Sequence, residues 1–123
     1  KAKEIFKDLE EKCFFLEDFM QCNWINQWDI ILCDQVAEHI SDQLQFFEKI
    51  KLALTDTGML FLGVPNFASK DAQLQYNMWG TLGVGEHSIL HTLKSIEYIL
   101  NKIGLKFEYL QDPEKGIMLR CWK

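Results

Sequence analysis

Three imidazoles are available to this chain, His39, His87 and His91, and histidine is the side chain whose charge changes near neutral pH, which suits it to proton transfer. His39 follows Glu38 in a polar group, Asp34 to His39, that begins where the apolar run WDIILC (28–33) ends, with no glycine or proline between them. The plain alternative is that Glu38 and His39 cap the next helix or pair with each other. His87 and His91 are four apart, a spacing that binds metal on a helix, but Gly85 before and Thr92 after them point to a loop, so loop packing competes with a substrate role. Asp18 closes the aromatic run CFFLEDF (13–19) and is either a solvated strand-end acid or a binding group. Asn66 behind Pro65 reads first as a turn residue. The four cysteines, Cys13, Cys22, Cys33 and Cys121, lack C-x-x-C spacing, and Cys33 sits in an apolar run. Buried reduced thiols and a cytoplasmic location are therefore expected, with neither a disulfide framework nor a zinc site.

The elements that must position these groups follow from periodicity. Ala2, Ile5, Phe6 and Leu9 among charges predict an amphipathic helix over 1–12, and residues 13–19 predict a strand. The run Ile30 to Cys33 is too short for a helix and apolar on both faces, as a central parallel strand is. Ser41 is the expected N-cap of a helix through Leu54 that Thr57 and Gly58 end, before a buried strand over 59–64 stopped by Pro65. From Phe67 to His91, glycines mix with Tyr76, Met78 and Trp79, which suggests a lid or pocket wall. Thr92 caps a further helix that Gly104 terminates, and LKFEYLQ and GIMLRCW form a final antiparallel hairpin. The order predicts a three-layer α/β fold with a mainly parallel sheet.

Bulk properties narrow the function. At 123 residues and 48% hydrophobic, the chain suits one domain. A net charge of −5 with scattered basic residues disfavours nucleic acid. No apolar stretch reaches the about 20 residues that span a bilayer, and no signal-peptide pattern opens the chain. In an open parallel sheet, ligands bind beyond the carboxyl ends of the strands, so Asp34 to His39, Asp18 with Phe19, and Pro65 with Asn66 are expected on one rim.

These residues carry a resemblance. The series W-D-I-I-x-C-x-x-V-x-E-H-I, a helix and glycine, a strand closing in V-P-N, an aromatic segment with G-E-H, and a helix followed by I-G-L resembles the C-terminal half of a class I S-adenosylmethionine-dependent methyltransferase, nearest the ubiquinone-pathway O-methyltransferases. The resemblance implies a Rossmann-like methyltransferase sheet lacking its N-terminal strands, over a single partial domain. It implies S-adenosylmethionine as cofactor, with Asp18 and Phe19 at the adenine, Asp34 and Gln35 at the methionine end, and residues 66–91, including Asn66, Tyr76 and Trp79, around a small-molecule acceptor. His39, His87 and His91 are then the candidates for the base.

The family's G-x-G-x-G turn and ribose-binding acid have no counterpart, since Gly58 is the first glycine. The isolated chain is therefore expected not to bind cofactor normally, and a non-catalytic remnant or interaction module is the alternative. Exposed sheet edges predict self-association or partial disorder. Ubiquinone-type relatives can place a metal-binding Glu three residues before E-H; here it is Gln35, so no metal is expected. A phospho-receiver reading of Asp34 fails because Val64-Pro65 stands where those domains carry Lys-Pro.

Overall fold

A computed structural model describes residues 18–75 and 87–123. The predicted helix over 1–12, most of the strand over 13–19, and Tyr76 and Trp79 lie outside the described residues. Phe19, placed at the end of that strand, instead opens a 3-10 turn, Phe19–Gln21, that Asp18 caps by accepting from the Met20 amide at 2.9 Å.

Four strands form one sheet. β1 (Trp28–Asp34) is followed by helix α1 (Gln43–Ala53), β2 (Leu54–Val64), the short helix α2 (Lys70–Gln75), helix α3 (Leu93–Ile103), β3 (Lys106–Tyr109) and β4 (Ile117–Trp122). Their order across the sheet is β1-β2-β4-β3. β1 and β2 run parallel, with Ile31 opposite Leu60 and Asp34 opposite Gly63, whereas β4 is antiparallel to both β2 and β3. The fold is α/β with a mixed sheet.

Alternation along the strands decides which face is covered. Cys33, Leu60, Leu62, Val64, Ile117, Leu119 and Cys121 point to one face and join Phe46, Phe47 and Ile50 of α1 and Ile96, Ile99 and Leu100 of α3 in a single core. Ile30, at 63% exposure, and Leu32, at 76%, alternate with these on β1 and stay open, as Met59 and Met118 do on their strands. Among the described residues the helices thus form one layer against the sheet. Burial pushes the Cys33 and Cys121 thiols up to about 12, which keeps both protonated and unreactive. Cys33 and Cys121 are buried thiols.

Helix α3 begins and ends as its sequence foretells. Thr92 accepts from the Ser95 amide at 3.3 Å, while the Ser95 hydroxyl accepts from the Thr92 amide at 2.9 Å, which satisfies two donors that an unadorned helix start leaves open. At the other end Gly104 adopts φ 72°, a left-handed value that costs a Cβ-bearing residue about 1 to 2 kcal/mol. Replacing Thr92 by alanine is expected to destabilise the fold by about 1 kcal/mol, read as a lower urea midpoint with unchanged slope.

Helix α1 departs from expectation at both ends. Its cap is Asp42, whose carboxylate accepts from the Gln45 amide at 3.1 Å, one residue beyond Ser41. It stops at Ala53, not at Thr57 and Gly58, because Leu54 is drawn into the core and the chain passes directly from helix into β2. Gly58 serves another purpose: a Cβ there would lie 2.9 Å from the Trp28 carbonyl oxygen of the neighbouring strand.

Candidate functional site

Because β1 and β2 run parallel, their carboxyl ends share one rim, and the chain must leave both strands there. Gln35 makes the first turn with φ 54°, a strained value outside glycine, while its amide still donates to the Gly63 carbonyl at 2.9 Å. A 3-10 turn follows, Ala37–His39, and the Gln43 side-chain amide donates to the carbonyls of Ala37, at 2.7 Å, and Ile40. This pins the connection beneath the start of α1.

Asp34 lies against Gly63. A Cβ on Gly63 would sit 2.2 Å from the Asp34 carboxylate oxygen, so the glycine is the space in which that carboxylate rests. Both residues line a cavity of about 480 Å³ together with Gln35, Pro65, Asn66 and Asp71, and with Glu114 and Lys115 from the β3–β4 connection. The cavity therefore collects polar groups at the carboxyl end of the parallel pair, as the sequence predicted for Asp34, Gln35 and Asn66.

Asn66 is buried, and its amide is already engaged. Its Nδ2 donates to the Pro113 carbonyl at 3.0 Å, and its Oδ1 accepts from the Ala68 amide at 3.0 Å. It ties the end of β2 to the β3–β4 connection and so holds two walls of the cavity together. The turn-residue reading describes this geometry better than direct contact with an acceptor.

Asp18 and Phe19 stand apart from Asp34 and Gln35. Phe19 packs on Phe46 and Trp24 and lines a separate pocket of about 100 Å³ with Trp24, Lys49 and Leu52. The carboxylate of Asp18 serves its own turn.

The three imidazoles divide. His39 and His87 meet edge to face with ring centroids 4.8 Å apart, and His87 Nε2 lies 3.9 Å from a carboxylate oxygen of Glu38. The segment after His87 is stitched to the 3-10 turn: the Ser88 and Ile89 amides both donate to the Glu38 carbonyl, at 2.8 and 3.0 Å. Glu38 is 1% exposed, and neither carboxylate oxygen has a hydrogen-bond partner. Its side chain is thus committed to this cluster and caps no helix. One ligand atom from each of Glu38, His39 and His87 lies within 4.8 Å of the others, a donor set suited to a divalent cation. The sequence reading weighed a metal at this E-H pair and set it aside because of Gln35, and it did not bring His87 to the pair. The pairing spans 49 positions between residues 38 and 87, and the signal to follow was the adjacent E-H pair together with a distant imidazole, not the H-x-x-x-H spacing.

His91 is elsewhere. It is 2% exposed, its Nδ1 is 3.5 Å from the Ser95 hydroxyl, and burial lowers its pKa to about 4. Its carbonyl accepts from the Phe67 amide at 2.8 Å, joining the start of α3 to the turn after β2.

Solved structures match this architecture. A methyltransferase from Thermotoga maritima that depends on S-adenosylmethionine superposes with a TM-score of 0.65 at 10% identity, over 87% of this chain and 61% of its own. The mitomycin 7-O-methyltransferase MmcR gives 0.71 at 14%, over 99% and 38%. YcgJ from Bacillus subtilis gives 0.62 at 18%, over 77% and 42%. The fold is that of the S-adenosylmethionine-dependent methyltransferases. This chain spans between about two-fifths and three-fifths of the lengths of these three structures. No protein-family model matches its sequence, and no curated protein does.

Proposed function

We propose that the chain is the C-terminal half of a methyltransferase domain of the ubiquinone-pathway type, and that the parent protein moves a methyl group from S-adenosylmethionine to a hydroxyl of a small-molecule acceptor. One observation carries the reading: Asp34 and Gln35 occupy the crevice at the carboxyl end of a parallel pair, with the carboxylate seated over Gly63. The sheet order supports it, since β1-β2-β4-β3 with an antiparallel end corresponds to strands 4-5-7-6 of the family's 3-2-1-4-5-7-6 sheet.

In this reading Asp34 and Gln35 meet the methionine end of the cofactor, and Asp18 and Phe19 its adenine. Asn66 holds the wall of the acceptor pocket, to which Tyr76 and Trp79 add apolar surface. When bound, the cofactor supplies an electrophilic methyl on a sulfonium. The residues of this rim would hold the acceptor oxygen in line with that methyl, with the sulfur as leaving group. The hydroxyl proton passes to an imidazole of the Glu38, His39 and His87 cluster. The chain's task is alignment and exclusion of water. His91, buried and neutral, takes the part of an anchor.

Calorimetry with S-adenosylhomocysteine tests the reading. The parent protein is expected to bind it, and Gly63→Val, by displacing the Asp34 carboxylate, to weaken binding at least tenfold at a stability cost of about 1 to 3 kcal/mol. Absence of heat with the parent protein would favour a non-catalytic remnant, for which the missing glycine-rich turn already argues in the isolated chain.

A further inference from the structure

At the side of the sheet away from β1, and among the described residues, β3 (Lys106–Tyr109) is bonded on one flank only, to β4. Just past the strand, the Leu110 amide donates to the Met118 carbonyl at 2.9 Å, which makes these two a hydrogen-bonded pair. Backbone direction alternates along an antiparallel ladder, so Glu108 and Lys106 also turn their amides and carbonyls toward β4. Those of Phe107 and Tyr109 therefore point outward, to the free flank. Such a flank is a template for another strand unless charge, proline or a bulge blunts it. The charges here are one lysine and one glutamate. Lys106 and Glu108 are both exposed and lie on the open face of the sheet, opposite Trp122 and Arg120.

We propose that the free flank of β3 pairs antiparallel with the same strand of a second copy of this chain, in the register centred on Phe107. Outward-pointing groups must meet outward-pointing groups, so a two-fold axis falls on residue 106, 107 or 108. A pairing centred on Lys106 sets that lysine against its own copy, and one centred on Glu108 does the same with the carboxylate. Like charges directly opposite are destabilising. Centred on Phe107, Lys106 of each copy faces Glu108 of the other, so the pattern that repels in two registers attracts in the third.

The neighbouring groups agree with this register. Glu108 Oε1 lies 2.9 Å from the Arg120 guanidinium, which leaves its second oxygen for the incoming lysine. On the helix face the two Phe107 side chains come opposite each other, and Tyr109 and Leu110 offer exposed apolar surface at the same edge. Two four-residue strands bury less than the roughly 1,200 Å² of a stable interface, so the dimer belongs to the weak, reversible class. The contact does not rest on methyl transfer, because this edge lies across the sheet from the β1 rim that carries that reading.

Sedimentation of the 123-residue chain over a wide range of concentration tests the proposal. A monomer–dimer equilibrium is expected, weakened several-fold by high salt because ion pairs on an exposed face are screened, a readout that needs no variant. Lys106→Glu and Glu108→Lys should each weaken association at least tenfold, since each sets like charges opposite one another in this register. Mixed in equal amounts, the two variants are expected to recover association as a heterodimer, because every carboxylate then faces an ammonium. Circular dichroism confirms the fold of both, and the exposure of the Glu108–Arg120 pair keeps the stability cost of losing it small. A native chain that stays monomeric at millimolar concentration, association undiminished in either folded variant, or no recovery on mixing would each overturn the assignment.

Discussion

Replacing Leu60 by alanine is expected to remove about 3 to 5 kcal/mol of folding stability, enough to leave a typical domain of this size largely unfolded at modest urea. Leu60 is fully buried on β2, between β1 and β4, and faces the side of the sheet on which α1 and α3 pack. Truncation there loses the transfer energy of the side chain and leaves a void lined by two neighbouring strands and the helix layer, none of which can collapse independently. The comparison is Leu32→Ala. Leu32 is chemically identical, also lies on a sheet strand, and is 76% exposed, so its truncation should change stability by no more than about 0.5 kcal/mol. Urea titrations of both variants check the difference; equal costs would mean that both faces of the sheet are covered alike, and a larger cost for Leu32 that the faces are assigned the wrong way round.

Acid should expose His91. Its folded pKa is lowered to about 4 from an ordinary 6.5 because burial penalises the imidazolium. Above pH 6.5 the imidazole is neutral in both states and contributes nothing to pH dependence. Between pH 6.5 and 4 the unfolded chain takes up a proton that the folded chain refuses, so stability falls as pH falls, by roughly 3 kcal/mol at the lower end. In His91→Leu this contribution disappears. Urea midpoints at pH 7.5 and 4.5 should therefore differ less in the variant than in the native chain, even though carboxylates elsewhere add to the acid response of both. An identical drop in the two proteins would show that His91 does not remain neutral in the folded state.

Sequence legibility followed the range over which each signal acts. The apolar run Ile30 to Cys33 announced a parallel strand because no local alternative competes with it, and Thr92 and Gly104 announced the ends of α3 because capping is decided within one helical turn. The passage from α1 into β2 was obscured: Leu54 satisfies the helical spacing equally well, and only its burial at the sheet makes it the first strand residue. Gly58 was misread for a similar reason, since its justification is the Trp28 backbone across the ladder. At the site, the rim holding Asp34, Gln35 and Asn66 was legible from strand order alone. The engagement of the Asn66 amide with Pro113 and the convergence of Glu38 with His87 were not, because each depends on partners brought from far along the chain.

The position of β4 has a consequence for synthesis. β4, the last described strand in chain order, is an inner one, bonded to β2 on one flank and β3 on the other. While Ile117 to Trp122 are still within the ribosome, β2 and β3 have no bridge between them, and each presents an unpaired flank to its surroundings. Cotranslational folding of this sheet must wait for that hexapeptide to emerge.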